Sequence, residues 1–311
     1  MTRFWKNRKV LVVGGAGFIG SHTVDALILR GARVAIVDDL STGMKENCNP
    51  KARFYKLNAA SIPGLSKVFK KEKPDFVMIF SSIVDVPTAI ARPLSTAEGI
   101  ATTINVLEHS VRHNVKKVLY ASSGFIYGNA RKIPTPETEP FQPLNPYNIA
   151  KATSEYYLKF FHEHYRLPYV ALRYAPVYGP RRTIGPIFDY IRNISAGKRA
   201  KLYGTKTRDY IYVEDVARAN LIAMQKYIAD KDPIYNIGTG KEIRLDALYA
   251  FIAKLLQKPN NIPVKKESRS AEVDRFALDI RKARRVLGFR PHVSLIEGLR
   301  ETIAWVKGME H

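Results

Sequence analysis

The stretch that most constrains this chain runs from Lys9 to Gly20 and reads KVLVVGGAGFIG. Its apolar run, Val10 to Val13, is typical of a strand buried on both faces of a parallel sheet. Glycines follow at positions 14, 15, 17 and 20, and a helix-like segment spans Ser21 to Arg30. Glycine lets the chain turn sharply and lets bare backbone approach a ligand, and a helix N-terminus favours a pyrophosphate. The stretch therefore predicts a strand, a phosphate-binding turn and a helix, although glycines also mark plain tight turns.

The next predicted strand, Arg33 to Val37, supports the phosphate-binding reading because Asp38 ends it. An acid at this point accepts hydrogen bonds from the hydroxyls of an adenosine ribose and repels a 2′-phosphate. We therefore expect a dinucleotide site that prefers NAD to NADP. Lys45, in the following loop, is the group that would instead reach a phosphate.

Length and composition bound the class of protein. The 311 residues are 46% hydrophobic, which is ample for a large core in one or two domains. No apolar run reaches the roughly 18 residues of a membrane span, and the N-terminal run breaks at Gly14 without the cleavage site of a secretory signal. Cys48 is the only cysteine, which excludes an internal disulfide and favours a cytoplasmic protein.

The net charge of +22, from 50 basic and 28 acidic residues, attracts anions such as nucleotides, nucleic acid and acidic membrane surfaces. The basic residues are spread along the chain, and only 70–73 and 281–285 cluster. Neither a zinc-finger spacing nor an aromatic–basic RNA-binding signature occurs. We therefore expect no nucleic-acid partner and no metal site.

Strands and helices alternate in the first half, which predicts an α/β fold with a doubly wound parallel sheet and helices on both faces. Further strands are predicted at 53–58, 76–80, 118–121 and 169–175, and helices at 62–71, 93–113 and 146–165. A proline-rich loop spans 129–146, and Asn145 and Pro146 form a natural helix start. Ligands bind beyond the carboxyl ends of such strands, where Ser81–Ser82 and Ser122–Ser123 fall.

The rest of the chain is less regular. Helices are predicted at 184–196, 214–229, 245–257 and 295–307, and short strands at 210–213 and 235–237. We expect residues 1–175 to form a dinucleotide-binding Rossmann domain, to which the chain returns around 210–240. Residues 176–311 are expected to form mainly a smaller substrate-binding lobe.

Tyr147 and Lys151 lie four residues apart on the helix predicted at 146–165, so they share one face. A nearby ammonium favours the phenolate and lowers the phenol pKa, which makes Tyr147 usable as a general acid or base. Tyr227 and Lys231 show the same spacing, but only Tyr147 opens a helix beside the Ser122–Ser123 strand end. Ser123 would hydrogen-bond a substrate hydroxyl or carbonyl; the alternative is a capping serine and a surface tyrosine.

At these residues the chain resembles the extended short-chain dehydrogenase/reductase family, and within it the NAD-dependent nucleotide-sugar epimerases and dehydratases. The segments that carry the resemblance, over nearly the whole chain, are GGAGFIGSH, VDDLSTG, ASSGFIYG, PYNIAK, LRYAPVYGPR, RDYIYVEDVARA, YNIGTG and LDIRKARRVLGFRP. The resemblance implies Ser123, Tyr147 and Lys151 as the catalytic residues. It implies cofactor contacts from Gly14, Gly17, Phe18, Ile19, Gly20, Asp38, Asp39, Ser41, Gly43, Asn58, Ser81, Tyr147, Lys151, Tyr174 and Val177. The substrate contacts it implies are Ser123, Pro176, Arg208, Arg269 and Glu272, the two arginines at a diphosphate and Glu272 at the nucleotide ribose.

Some residues depart from the family pattern. Asn58 replaces an aspartate near the adenine, Ile79 a histidine, Ser81–Ser82 two alanines, and Gly99 an asparagine. Pro176 replaces an asparagine that touches substrate, and the loop between Tyr203 and Arg208 is two residues short. These departures concern the substrate more than the cofactor.

The leading interpretation is an NAD-dependent epimerase of a nucleoside-diphosphate sugar, which oxidises the sugar transiently and returns hydride to its opposite face. A net dehydrogenase or reductase of another hydroxy substrate, such as threonine, is the alternative that Pro176 favours. A 4,6-dehydratase would carry an Asp–Glu pair where this chain has Gly124 and Phe125, and we expect Gly124 to leave room for the sugar to turn. A non-catalytic NAD-binding protein would be expected to lack Tyr147 or Lys151.

Two predicted helices also carry apolar residues on more than one face. These residues are Ile100, Ile104 and Val106 on the first, and Tyr156, Tyr157, Phe160 and Phe161 on the second. Because family members commonly pair these helices, we expect a homodimer; the alternative is that all of them pack on the sheet.

Overall fold

The centre of the fold is a seven-stranded parallel sheet. The structure is a computed structural model, and it describes residues 2–81, 86–198, 201–202, 206–227, 232–258, 265–266 and 273–309. The strands in these ranges are β1 (Lys9–Val13), β2 (Arg33–Asp38), β3 (Arg53–Lys56), β4 (Phe76–Ile79), β5 (Lys117–Ser123), β6 (Tyr169–Tyr174), β7 (Val177–Tyr178), β8 (Lys201–Leu202), β9 (Thr207–Arg208), β10 (Ile211–Tyr212), β11 (Ile234–Ile237), β12 (Ile243–Arg244) and β13 (Lys265–Lys266). The sheet order is β11–β6–β5–β4–β1–β2–β3, so the chain reverses its winding between β1 and β4. Ligands of doubly wound sheets bind at this switch point.

Helices cover both faces of the sheet, as the alternating pattern predicts. They are α1 (Thr2–Trp5), α2 (Phe18–Leu29), α3 (Ile62–Glu72), α4 (Val86–Ala91), α5 (Ser95–Arg112), α6 (Pro146–Tyr165), α7 (Pro186–Ser195), α8 (Val213–Gln225), α9 (Leu245–Leu255) and α10 (Leu295–Gly308). Helices α2 and α8 contribute to the apolar core on one face, and α3, α5 and α6 to the core on the other. The predicted α/β doubly wound class is confirmed.

Strand β1 shows why a continuous apolar run suits this position. Val10 and Val12 belong to the core on the α2 face, whereas Leu11 and Val13 belong to the core on the α5 face. Each of the four is at most 1% exposed. Because successive strand residues point to opposite faces, a central strand covered on both sides needs apolar side chains throughout.

A third cluster of buried apolar side chains lies among α7, α9 and α10. Between α7 and α9 in sequence, the chain returns to the main sheet, where α8 packs against α2 and β11 pairs with β6. Two groups of segments therefore border the carboxyl ends of the strands: the loops of the main sheet, and the segments whose side chains form the third cluster.

Some predicted elements differ from those observed. The helix predicted over 93–113 begins at Ser95 and is preceded by the separate helix α4. Short pairs such as β7 with β10 and β9 with β12 were not predicted, since each joins segments distant in sequence. In the proline-rich loop, only Thr135 makes an isolated bridge, to Leu278, among the described residues.

Candidate active site

The glycine-rich turn after β1 is closed by tight backbone contacts. Gly14 has a φ of +81°, and its amide donates to the Val37 carbonyl at 2.8 Å. A Cβ on Gly14 would stand 2.5 Å from the amide nitrogen of Ser81, and one on Gly20 would stand 2.1 Å from the Gly14 carbonyl oxygen. Larger residues are therefore excluded at both positions. Helix α2 starts at Phe18, so the strand, turn and helix N-terminus form the arrangement that binds a pyrophosphate.

The Asp38 carboxylate is held at the end of β2 by two backbone amides. Its Oδ2 accepts from Ala16 N and its Oδ1 from Leu40 N, both at 2.9 Å. Burial raises the pKa of Asp38 above its ordinary value, and these two hydrogen bonds oppose the rise. Each oxygen keeps a free lone pair for a ribose hydroxyl. A Cβ on Gly43 would come within 2.8 Å of Oδ1, so this glycine allows its loop to lie against the carboxylate.

Lys45, the group that would reach a 2′-phosphate, is engaged elsewhere. Its Nζ lies 3.6 Å from the centroid of the Phe54 ring, a cation–π contact. This position is consistent with the expected preference for NAD.

A long cleft follows the carboxyl ends of the strands and brings most of the predicted cofactor residues together. The predicted residues that line it are Gly14, Gly17, Phe18, Ile19, Gly20, Asp38, Asp39, Ser41, Asn58, Ser81, Tyr147, Lys151 and Tyr174. The carboxylate, the glycine turn and the helix N-terminus thus lie in one cleft, in the order that an adenosine ribose and a pyrophosphate require. The residues present fit NAD.

At the other end of the long cleft lies the first turn of α6. Asn145 caps this helix by accepting a hydrogen bond from Asn148 N at 3.0 Å, and Pro146 occupies the first helical position. Tyr147 follows and lines the long cleft. The Tyr147 ring centroid lies 5.9 Å from Lys151 Nζ, so the predicted pair does share one helix face.

Lys151 is 4% exposed, and its Nζ donates to the Ala121 carbonyl at 2.5 Å. Burial lowers the pKa of Lys151 to about 7, while the charge of Glu155 one turn further on opposes the shift. From the spacing of the pair we expected a charged lysine beside Tyr147. Burial therefore works against the charged form of Lys151 that this expectation requires.

Of the two serines at the end of β5, Ser122 lines the long cleft and Ser123 does not. Ser123 is 6% exposed, and its Oγ accepts a hydrogen bond from Phe125 N at 3.2 Å. The Ser122 hydroxyl donates to the Glu155 carboxylate, which also pairs with Arg173 at 2.6 Å. The catalytic role predicted for Ser123 stays a prediction.

A second cavity adjoins the long cleft. Pro176, Val177 and Arg208 line it, together with Phe125, the N-cap residue Asn145 and Asn148 of α6. Val177 was predicted on the cofactor side and is found in this cavity instead. The Arg208 guanidinium donates to the Thr207 carbonyl at 2.7 Å and lies 5.7 Å from the Phe125 ring centroid. The other two predicted substrate contacts, Arg269 and Glu272, lie outside the described residues, as does Lys231.

Arg182 and Ile184 line both the long cleft and the second cavity, and sequence reasoning missed them. The Arg182 Nε donates to the Ile184 carbonyl at 3.0 Å, and its guanidinium lies 5.5 Å from the Phe18 ring centroid. Burial lowers the Arg182 pKa, and the nearby phenols of Tyr147 and Tyr210 oppose the shift. The GPRR segment was the available signal, since both of its arginines, Arg181 and Arg182, line the long cleft, but sequence alone does not show that Arg182 also lines the second cavity.

Gly124 does not provide the predicted room for a turning sugar. A Cβ at this position would stand 2.7 Å from Phe276 Cζ and 2.8 Å from Leu278 Cδ2, so packed side chains already fill that space. Because Gly124 has no side chain, Phe276 and Leu278 can pack against the end of β5. Gly99, by contrast, has no atom within 4 Å of an added Cβ and lines the long cleft.

Two features are absent from the described ranges. They contain no group of three or more His, Cys, Asp or Glu side chains placed to hold a metal ion. They also contain no helix that is both long enough and apolar enough to cross a membrane.

The sequence model of the NAD dependent epimerase/dehydratase family matches residues 10–238 of this chain. The UDP-glucose 4-epimerase of Lacticaseibacillus casei is 32% identical over 319 residues, which cover 95% of this chain and 95% of that protein.

Solved structures are also similar over the whole chain. The UDP-glucose 4-epimerase of Thermotoga maritima, crystallised with UDP-glucose, superposes with a TM-score of 0.93 at 37% identity, covering 97% of this chain and 100% of that one. The UDP-glucose 4-epimerase of Thermus thermophilus, in complex with NAD, gives a TM-score of 0.90 at 32% identity, covering 96% and 99%.

Proposed function

Because this chain belongs to the NAD-dependent epimerase/dehydratase family, we propose that it is an NAD-dependent 4-epimerase of a UDP-sugar. The similar enzymes from L. casei, T. maritima and T. thermophilus, which are named UDP-glucose 4-epimerases, support this choice of substrate and carbon. The observation that carries the proposal is the position of the first turn of α6. Tyr147 lines the long cleft, while Asn145 and Asn148 on either side of it line the second cavity.

This position puts one acid–base group at the junction of a cofactor site and a substrate site. In the proposed reaction, the Tyr147 phenolate removes the proton of the sugar 4-hydroxyl and later returns it to the epimeric hydroxyl. Bound NAD supplies the hydride acceptor and donor at the same sugar carbon. Lys151 favours the phenolate while it is charged, and the Arg182 guanidinium, which interacts electrostatically with the Tyr147 phenol, adds a second cation.

The residues after Ser123 favour epimerisation over dehydration. Expelling the 6-hydroxyl needs an acid and a base, but Gly124 and Phe125 occupy the two positions concerned. The next carboxylate in the sequence is Glu137, and its Oε1 accepts a hydrogen bond from the Asn236 amide at 2.9 Å. Glu137 lines neither the long cleft nor the second cavity. No proton donor for the 6-hydroxyl is therefore found at this part of the described structure.

A net dehydrogenase of another hydroxy substrate is the second candidate, because Pro176 lines the second cavity where family members carry an amide. Proline has no side-chain donor or acceptor, so a sugar hydroxyl that an asparagine would bind must find another partner. Arg208, in the same cavity, supports a diphosphate substrate instead, since a guanidinium matches phosphate oxygens.

The deciding experiment is incubation of the protein with NAD and UDP-, GDP-, CDP- and dTDP-hexoses, with products read by mass spectrometry and NMR. We expect a UDP-hexose to give a product of unchanged mass and inverted configuration at carbon 4. A product lighter by one water would contradict the epimerase. NADH formed from a simple hydroxy acid, with no change in any sugar, would favour the dehydrogenase.

Three further assignments accompany this proposal. Arg208, Arg269 and Glu272 are assigned to the nucleotide part of the substrate. Residues 1–175 with the returning segment around 210–240 are assigned to the cofactor domain, and most of 176–311 to the substrate lobe. We also propose a cytoplasmic homodimer.

A further inference from the structure

The end of the long cleft beyond Asp38 contains a pair of side chains whose role is not explained by the reaction. Strand β3 lies beside β2 with Asp38 opposite Lys56, and Leu57 N donates to the Asp38 carbonyl at 3.1 Å. Asn58 follows at once and lines the long cleft, and so does Glu98 from α5. If Asp38 binds the adenosine ribose, the attached base lies over this segment.

The hydrogen bonds of Asn58 fix the orientation of its amide. Ala60 N donates to Oδ1 at 2.8 Å, and since a backbone N–H can only donate, the atom facing it is the amide oxygen. The amide nitrogen therefore faces α5, where it donates to Glu98 Oε1. Asn58 and Glu98 are thus joined across the cleft wall.

Each partner keeps one free group. The Asn58 nitrogen carries two hydrogens and uses one, and the Glu98 carboxylate uses one of its two oxygens. Neither side chain has a further hydrogen-bond partner elsewhere in the described residues. The pair therefore offers one donor next to one acceptor at the base end of the cleft.

We propose that Asn58 and Glu98 together read the Watson–Crick edge of the NAD adenine, with Glu98 accepting from the 6-amino group and Asn58 donating to N1. Adenine presents this donor and acceptor side by side. An aspartate in place of Asn58 would supply its own acceptor; here the acceptor comes from Glu98 on another element. The inference rests on the cofactor and not on the sugar, so it stands or fails independently of the proposed reaction.

Hypoxanthine is the discriminating probe, because it carries an acceptor at position 6 and a donor at N1. Its oxygen would face the Glu98 carboxylate, and its N–H would face the Asn58 N–H, so both contacts are lost. The full-length chain, freed of co-purified nucleotide, is titrated calorimetrically with NAD and with nicotinamide hypoxanthine dinucleotide. We expect NAD to bind more tightly by on the order of tenfold.

Glu98→Gln tests the assignment with a side chain of the same shape. The side-chain oxygen of the introduced glutamine still accepts the hydrogen bond from Asn58. Its amide N–H then faces position 6 of the base, so the preference for NAD should disappear or reverse. The matched control is Glu108→Gln, on the same helix, where the carboxylate pairs with Arg112 at 3.5 Å and does not line the cleft. The control should keep the wild-type preference.

Two results would overturn the proposal. One is equal affinity of the wild-type chain for the two dinucleotides. The other is an unchanged preference in Glu98→Gln when its thermal unfolding matches that of the wild type.

Discussion

At the residue scale, Tyr147 is the group on which the proposed reaction depends. Tyr147→Phe removes the hydroxyl that takes and returns the proton but keeps the ring in the cleft. We expect normal folding, unchanged NAD affinity, and a loss of turnover of about a hundredfold or more, which is typical for removal of a general acid–base group. Turnover is measured with the UDP-hexose identified from the substrate panel.

Tyr227→Phe is the matched control for this substitution. Tyr227 shares the spacing to a lysine four residues on, but its side chain is 93% exposed and it does not line the long cleft. It should leave turnover unchanged. An active Tyr147→Phe enzyme would remove the tyrosine from the mechanism.

Lys151 provides a pH-dependent prediction for stability. Burial lowers its folded-state pKa to about 7, whereas an unfolded lysine titrates near about 10.4. Between these values the unfolded chain binds a proton that the folded chain lacks, so this residue makes the folded state more stable as pH rises through the window. The free energy of unfolding of the wild type, minus that of Lys151→Met, should increase by up to about 1.4 kcal/mol per pH unit.

Urea unfolding of the NAD-free proteins at pH 7, 8 and 9 measures this difference. Burial also lowers the pKa of Lys117, to about 8, but Lys117 is present in both proteins and its effect cancels. A constant difference between wild type and variant across the three pH values would show that Lys151 stays charged.

The residues of the site could be predicted from sequence where a local pattern places them. The glycine turn, Asp38 and the Tyr147–Lys151 pair lie within single strand–turn–helix or helical segments, so their spacing already determines their geometry. Arg182, Glu98 and the packing of Gly124 could not be predicted, because their neighbours come from segments distant in the chain. Gly124, for example, is enclosed by Phe276 and Leu278.

At the element scale, long periodic segments were predicted within a few residues. Helix α6 has the predicted bounds because Asn145 caps its N-terminus and Arg166 ends it in the left-handed conformation. Strand β10 lies within the strand predicted at 210–213, but its partner β7 was missed, since a two-residue strand carries no repeat of its own.

The outward face of α6 carries the prediction about assembly. Tyr156 is 65% exposed, and Phe160 and Ile149 are each 49% exposed. Val106 and Phe161, included in the predicted interface, are instead 0% and 5% exposed and pack in the core. Tyr156, Phe160 and Ile149 still leave exposed apolar side chains on the outward face, and exposed apolar patches are typical of interfaces.

We expect the wild type to sediment as a dimer at micromolar concentration and Phe160→Glu to sediment as a monomer, because a buried carboxylate without a partner is strongly unfavourable in an interface. Leu29→Glu, on α2, is the control: Leu29 is 83% exposed and lies on another helix, so the dimer should persist. A monomeric wild type would contradict the prediction.

At the scale of the whole molecule, the net charge of +22 is the feature that the fold does not explain. Much of the excess lies on exposed side chains, and several arginines, such as Arg244 and Arg281, are paired with a neighbouring carboxylate. The proposed nucleoside-diphosphate sugar and NAD are both anions. A positive field of this size therefore favours their approach to the cleft over long distances.

A field produced by many charges should give anion binding a salt dependence that a single contact would not produce. The Debye length falls from about 30 Å at 0.01 M salt to about 3 Å at 1 M, so the field of distant charges is removed while the site remains intact. The affinity for UDP, measured calorimetrically at these two salt concentrations, should fall by about tenfold or more. The affinity for uridine, which has no charge, should change by less than about twofold. In Arg208→Gln, which removes one local cation, most of the salt dependence should remain because the other charges still act. If Arg208→Gln abolishes the salt dependence, one side chain and not the whole molecule attracts the diphosphate.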